Sequence, residues 1–329
     1  MERYISVVIP NHNMAAVIGR CLEAAFAAEY ENFEVIVVDD CSDDNSIEVI
    51  EGFPCRLIRL EERSGASKAR NTGALNSRGE IIFFTDADCL LLRDTLSAVN
   101  RAFSETGPDV IVGGTYTRIP CDRGFFSIFQ SVFINYSETK NAENPDYIAA
   151  HALVIDARTF RDSGGFPEDF LPIIEDVEYC HRLRRAGCRL VMKPDIQVRH
   201  IFDFSLSGSL RNAFRKSKYW TMYSLKNRDL LADSGTASAE LKTNSASYCL
   251  SLLLLSLWFF TQKSGLLFPV VFVLIINIFI NRRLFRAFFE AKGAVFGTLA
   301  VLYYTALYPL PVCMGAAAAL TEHFLDRRK

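Results

Sequence analysis

The stretch Gly79-Glu80-Ile81-Ile82-Phe83-Phe84-Thr85-Asp86-Ala87-Asp88 decides the reading of this chain. Residues 81–84 are continuously apolar and then stop on three polar-rich positions. A short apolar run of this kind, with no alternation, reads as a strand covered on both faces. The same pattern stands upstream three times, at 5–9 (stopped by Pro10), 33–38 (stopped by Asp39 and Asp40) and 56–60. Helical spacing of apolar residues fills the gaps, at 17–28, 45–51 and 67–77. Strands alternating with helices predict an α/β domain with a mostly parallel central sheet. In such sheets ligands bind beyond the carboxyl ends of the strands, so the polar residues just after each strand are the candidate site.

Downstream of Asp109 the pattern is mixed. Strands are predicted at 110–116, 149–155, 188–192 and 197–200, with an aromatic-rich helix at 125–136. Residues 175–186 read as a helix closed by Gly187. Residues 206–225 read as a basic amphipathic helix carrying Arg211, Arg215, Lys216 and Lys218, with Lys226 just beyond it.

Composition separates the chain into two kinds of material. Half of the 329 residues are hydrophobic and the formal net charge is −2, which excludes a disordered chain and argues against a nucleic-acid binder. Residues 1–245 mix charge with apolar groups, whereas 246–320 are almost purely apolar. Segments 247–260 and 266–280 are each shorter than the ~20 residues of a usual span, so the expectation is a hairpin of two tilted or slightly short spans. A third stretch, 294–320, is interrupted by Pro309 and Pro311 and reads as a kinked span or a re-entrant pair. Arg282, Arg283 and Arg286, with basic residues ahead of the first segment, orient both flanks toward the cytoplasm. The basic end at 326–329 favours an even number of crossings. The expected organisation is a catalytic domain at 1–230, a linker at 231–245 and a membrane region at 246–329 with two to four spanning or re-entrant segments. The nine cysteines show no CxxC pair and no zinc spacing, which suggests reduced thiols in a cytosolic compartment. The first residues enter a strand at once, which argues against a secretory signal peptide.

Four polar groups follow strands in the order that one active site needs. Pro10-Asn11-His12-Asn13 follows the first strand, and no GxGxxG stands there, which counts against a dinucleotide enzyme. Asp39-Asp40-Cys41-Ser42-Asp43 follows the second. A carboxylate at that position can accept hydrogen bonds from a base or ribose, while Ser42, Asp43 or Asn45 can equally cap the next helix. Asp86-Ala87-Asp88 follows the fourth strand and can meet both a hard cation and a ribose. Gly164-Gly165-Phe166-Pro167-Glu168 and Ile174-Glu175-Asp176-Val177-Glu178 come last. There an acidic pair either satisfies the helix dipole or presents a general base to a hydroxyl.

Together these residues resemble family 2 glycosyltransferases, whose domain has the GT-A (nucleotide-diphospho-sugar transferase) fold. The resemblance runs over residues 4–225: Pro10 and Asn13, VVDDCSDD, Gly65 through Lys68, Arg70, Asn71 and Gly73, then Gly79-Glu80, TDAD, GGFPEDF and IEDVEYCHRLRRAG. It implies that Asp40 contacts the base with Asp39 supporting it, and that Pro10, Asn13, Arg70 and Asp86 belong to the donor side. It makes Asp88 a metal ligand, with His200 as a further one, for Mg2+ or Mn2+. Gly165, Phe166 and Glu175 fall on the acceptor side, and Asp176 becomes the catalytic base of an inverting transfer.

The partners so implied are a nucleotide-diphosphate sugar and a lipid-linked or membrane-proximal acceptor, as in cell-surface polysaccharide or glycolipid assembly. The enzyme would be a multi-pass membrane protein with a cytoplasmic catalytic domain. Processive relatives carry QxxRW after the base, and this chain has Arg215-Lys216-Ser217-Lys218-Tyr219-Trp220 instead, which implies transfer of a single sugar. Arg211, Arg215 and Lys218 can reach a diphosphate or face anionic lipid. His151 stands where relatives have a small or amide residue. A polyprenyl-phosphate sugar synthase is the competing enzyme. A membrane-anchored phosphoacceptor signalling domain is the alternative of another class, but it lacks the expected late lysine and leaves the GGF and ED runs unexplained.

Overall fold

The computed structural model describes residues 2–169 and 172–326; Phe170, the last residue of GGFPEDF, and the basic residues 327–329 lie outside them. The chain divides into two compact units, Met1–Arg123 with Glu138–Asp203, and Gly124–Ser137 with Phe204–Lys329.

The first unit is built on one eight-stranded sheet. Its strands are β1 (Ile5–Asn11), β2 (Phe33–Asp39), β3 (Arg56–Arg59), β4 (Ile81–Phe84), β5 (Cys89–Leu91), β6 (Val110–Tyr116), β7 (Leu153–Asp156) and β8 (Arg189–His200), in the order β3-β2-β1-β4-β7-β6-β8-β5. The first four pair in parallel, with Ile5 opposite both Phe33 and Ile81. Val7, Val8, Ile9, Val35 to Val38 and Ile81 to Phe84 are all buried. Covering on both faces is what removes the alternation from these segments. Helices α1 (Ala15–Phe26), α2 (Ser46–Glu51), α3 (Ala66–Leu75) and α4 (Thr95–Thr106) connect the strands. Beyond β4 the sheet is mixed: β7 runs antiparallel to both β4 and β6, β6 is parallel to β8, and β5 is antiparallel to β8.

Three readings of the sequence are corrected here. Residues 188–192 and 197–200 are not two strands but the single β8, which passes Pro194 where the register shifts between Gly113 and Thr115. A bulge tolerates proline because no ladder N–H is required there. The strand expected from residue 149 begins only at Leu153, after a tight turn over Ala150–Ala152. None of Ser42, Asp43 and Asn45 caps α2. Asp44 serves instead, its two oxygens accepting from the backbone of Ser46 and of Ala15, both at 2.9 Å, so one carboxylate starts two helices.

The second unit is helical. It contains most of α5 (Phe125–Thr139), which follows the first unit's strand β6, and α8 (Leu206–Asn227), α9 (Ala239–Thr261), α10 (Leu267–Leu302) and α11 (Pro309–Asp326). Between β7 and β8 the first unit holds α6 (Ala157–Asp162) and α7 (Glu175–Arg185), the latter closed by Gly187 at φ +97°. The apolar helices are longer than their apolar runs. Ser238 caps α9 by accepting from Leu241 at 3.1 Å, which makes the polar residues from Ala239 onward helical. Helix α10 continues past Ile280 because Leu284, Phe285, Ala287 and Phe288 bury one face among the arginines; it kinks at Lys292 and Gly293. Two helical segments, Ala239–Thr261 and Ser264–Leu325, are long and apolar enough to cross a membrane.

A widened turn over Tyr303–Leu307 precedes α11. Tyr308 donates its N–H to the Tyr303 carbonyl at 2.9 Å, and Pro309 has no N–H to offer, so the Tyr304 carbonyl loses its helical partner. Asn244 of α9 replaces it, donating to the Tyr304 carbonyl at 2.7 Å. Asn277 donates to Asn244 at 2.9 Å and Asn281 to Asn277 at 2.7 Å, a buried amide ladder tying three helical segments together.

Candidate active site

In-register parallel pairing sets Asn11 at the end of β1 beside Asp39 at the end of β2. A cleft of about 250 Å³ opens there between Pro10, His12, Asp40, Arg70, Asp86 and Asp88. Five of the donor- and metal-side candidates therefore share one cavity. Asp39 and Asn13 do not line it. Asp39 accepts from Asn11 at 2.8 Å and from Ser42 Oγ at 2.5 Å and holds its own turn together. Asn13, at φ +54°, accepts from the Asp43 N–H at 2.9 Å and so ties the first strand's turn to the second's. Asp40 is buried in the cleft wall, where its two oxygens accept from the backbone of Ser64 (2.6 Å) and Gly65 (2.8 Å), fixing the loop that opens α3.

Arg70 is the hinge pin of the site. It projects from α3 with its side chain 6% exposed, donating through one nitrogen to Asp86 at 2.8 Å and through the other to Glu175 at 2.7 Å. The planar fork makes one cation reach two carboxylates from distant parts of the chain. Burial alone disfavours charge on Asp86 and Arg70; the pairing outweighs it, holding the Asp86 carboxyl below its ordinary pKa and Arg70 above its own. Asp176, the next residue along α7, behaves in the opposite way. Burial first, and the charge of Glu175 second, push its carboxyl from 3.8 up to about 6, although Arg70 pulls it down. One Asp176 oxygen accepts from the Ala150 N–H at 3.2 Å and the other from Val177 at 2.9 Å. A carboxyl tuned close to neutrality is the form of acid that general-base chemistry uses.

The glycine-rich loop ahead of α7 is fastened from both sides. Asn71 accepts from the Phe166 N–H at 2.8 Å and donates to the Phe166 carbonyl and to Glu168, both at 2.9 Å. Arg182 donates to the carbonyls of Ser163 and Gly165. Gly165 has φ +70°, and a Cβ there would stand 2.5 Å from Asn71 Oδ1, so this position requires glycine. Phe166 packs edge-on against Phe84 at 5.2 Å and lies under the Arg70 guanidinium at 5.6 Å.

Asp88, Cys89 and His200 form a second cluster, their ligand atoms all within 4.8 Å of one another. Antiparallel pairing of β5 with β8 sets Cys89 opposite His200, and His200 Nε2 lies 3.3 Å from Asp88 Oδ2. His200 Nδ1 is buried without a hydrogen-bond partner. Burial, then Asp88 and Asp86, raise the Cys89 thiol well above its usual value, leaving Asp88 and His200 as the ready carboxylate–imidazole pair. Such a pair fits a divalent cation.

The sequence reading passed over the Asn71 clamp, the short strand β5 and a buried pair next to the site. Glu138 and His151 lie 3.5 Å apart, both buried, with Thr115 donating to Glu138 at 2.7 Å and Tyr116 stacked on the imidazole at 3.9 Å. Burial opposes protonation of His151, but Glu138 first, then Asp86 and Asp176, raise its pKa. GxxKARNxG contains the signal for Asn71. Nothing local marks Glu138.

Residues 6–161, which carry the first three polar turns, match the family model for glycosyl transferase family 2. They form a family 2 glycosyltransferase domain. The domain is similar to the glycosyltransferase GlyG of Streptococcus pneumoniae, 31% identical over 131 residues, which is 38% of this chain and 44% of the relative. It is also similar to the glycosyltransferase AglE of Haloferax volcanii, 29% identical over 200 residues, 59% of this chain and 65% of the relative. The alignments thus span less than two-thirds of these relatives. Among solved structures, the mannosyltransferase PcManGT from Pyrobaculum calidifontis, in complex with GDP-Man and Mn2+, superposes with a TM-score of 0.59 at 20% identity, covering 99% of this chain and 88% of its own. TarS 1–349 of S. aureus gives 0.51 at 17% identity, covering 97% and 92%. At these identities the likeness is one of fold, and the glycosyltransferase domain has the GT-A fold.

Proposed function

We propose that this glycosyltransferase transfers a single sugar, with inversion, from a nucleotide-diphosphate sugar to a lipid-linked or membrane-proximal acceptor. The observation that carries the reading is the double grip of Arg70 on Asp86 and Glu175, which joins the cleft at the strand ends to the helix bearing Asp176. Asp40 with the Ser64–Gly65 backbone would form the base end of the donor cleft and Asp86 its sugar end. Asp176 would take the proton of the incoming hydroxyl, a contribution of about 10²–10⁴-fold. Phe166 and Gly165 would shape the acceptor side. Asp88 and His200 would hold the divalent cation, whose chemistry is to neutralise the leaving diphosphate. The Mn2+ and GDP-Man of the Pyrobaculum structure support a metal and a nucleotide sugar here.

Two apolar helical segments support a membrane setting, and the arginines of α10 support a cytoplasmic orientation. The domain organisation proposed is a GT-A domain followed by helices that keep it at the bilayer. The test is a panel of nucleotide sugars with Mg2+, Mn2+ or EDTA, scored by release of nucleoside diphosphate. Metal-dependent release from one donor is expected, and release from none refutes the reading. Asp88→Asn should abolish transfer and Asp176→Asn should lower it by about 10²–10⁴-fold; full turnover in Asp176→Asn alone would make the acceptor a lipid phosphate, which needs little help from a base.

A further inference from the structure

In the helical unit Cys249 of α9 and Cys313 of α11 stand with their sulfur atoms 3.4 Å apart. All nine cysteines of the chain are free thiols. We propose that Cys249 and Cys313 form a redox modification site, a dithiol that an apolar hydroperoxide closes to a disulfide and a dithiol reductant reopens.

Three observations support the site. The sulfurs are already in contact, and a disulfide at about 2.05 Å needs only about 1.4 Å more, which side-chain rotation supplies. The two helices are also held together at this point. Cys313 Sγ donates to the Ser245 carbonyl at 3.9 Å, one turn ahead of Cys249. The Asn244 side chain ties the same stretch of α9 to the Tyr304 carbonyl at 2.7 Å, just ahead of α11. Access differs between the two thiols: Cys249 is exposed and Cys313 half-buried. Cys249 stands on α9 directly before Leu250, Leu252 and Leu253, all exposed, so it borders a surface that admits an apolar oxidant.

The exposed thiol is the one that reacts first. Cys249 Sγ attacks one peroxide oxygen, forming an S–O bond and breaking the O–O bond, and the alkoxide leaves with the thiol proton as an alcohol. Cys313 Sγ then attacks the Cys249 sulfur, forming the S–S bond and releasing water with the second proton. Two thiols and one hydroperoxide thus give one disulfide, one alcohol and one water, and two electrons pass from sulfur to oxygen. The bond closes a loop over 64 residues that includes all of α10 and the widened turn. A cross-link over so long a loop restricts the unfolded chain and stabilises the folded one.

The site goes beyond the proposed transfer reaction and does not depend on it. Its test treats the detergent-solubilised full chain with tert-butyl hydroperoxide, alkylates the remaining thiols and maps the peptides by mass spectrometry. A linked peptide pair containing positions 249 and 313 is expected, and dithiothreitol should reopen it. The oxidised chain should melt about 5 °C or more above the reduced one. In Cys313→Ser the first step should proceed and the second fail, so that dimedone traps a sulfenic acid at position 249 and Tm does not rise. Oxidation of Cys249 in the parent with Cys313 still open to alkylation would overturn the inference. So would a bond from either thiol to Cys41, Cys55, Cys121 or Cys188, or survival of both thiols at a dose that oxidises free cysteine. A linked chain that melts no higher than the reduced one would overturn it too.

Discussion

Replacing Asp176 by asparagine should make the protein more stable and less active, by amounts that follow from its surroundings. The carboxyl ionises at about 6 in the folded state against 3.8 when unperturbed. Between those values the folded chain keeps a proton that the unfolded chain has released, so stability is full below the lower value and falls as pH rises through the upper one. The accumulated loss is about 3 kcal/mol by pH 8, at 1.36 kcal/mol per unit, and only about 0.5 kcal/mol at pH 4. The side chain keeps some solvent contact, so the larger figure is a ceiling. Asparagine carries no such penalty, and its carbonyl can still accept from the Ala150 N–H. For a unit of this size each kcal/mol moves Tm by about 2–4 °C. Thermal unfolding of the detergent-solubilised full chain should therefore show Asp176→Asn melting up to ~10 °C above the parent at pH 8, with little difference at pH 4. Transfer should fall by about 10²–10⁴-fold. An asparagine variant that melts lower at pH 8, or whose gain is the same at both pH values, would refute the reasoning.

Three further outcomes are expected. Arg70→Met strands the partly buried Asp86 and Glu175 carboxylates and should cost up to about 3 kcal/mol, read as a fall in Tm; a change of less than ~2 °C would show that the grip is not structural. Gly165→Ala forces a left-handed backbone and a methyl group against Asn71 and should cost about 1–3 kcal/mol, with transfer lost more steeply than folding; wild-type turnover would remove the loop from the acceptor side. Asn244→Leu leaves the Tyr304 carbonyl and the Asn277 amide without partners, a cost of about 1–3 kcal/mol for each group, and protease should then cut the helical unit faster than the parent.

Much of the first unit is legible in the sequence because its physics is local. β1, β2 and β4 are apolar runs with an abrupt polar end, and the parallel sheet needs little more than those ends to place Asp40, Asp86 and Asp88 at one cleft. What the sequence does not distinguish is which acid of a pair faces the ligand: Asp39 and Asp40 are neighbours, yet one braces a turn and the other pins a loop inside the cleft. Elements that exist only through distant partners are hidden. β5 is three residues long and is a strand only because β8 pairs with it. The double role of Arg70 depends on Glu175 arriving 105 residues later, and the Glu138–His151 pair on a helix end meeting a turn. In the helical unit, apolar runs mark the segments but not their lengths, since α9 and α10 extend through polar and amphipathic sequence by a cap and by burial of one face.

The amide ladder has a consequence for biosynthesis. If the apolar segments cross a bilayer as proposed, a chain emerging from the ribosome would present Asn244 to the lipid well before its partner at Tyr304 exists, 60 residues downstream. Asn277 arrives first, 33 residues on, and can shield the same side chain within a two-helix intermediate. Insertion would then proceed as a relay, a provisional hairpin held by one polar contact and converted to the finished bundle when the proline-broken segment supplies the other. A chain arrested between those two points should linger as the hairpin, recognisable by ready cross-linking of positions 244 and 277.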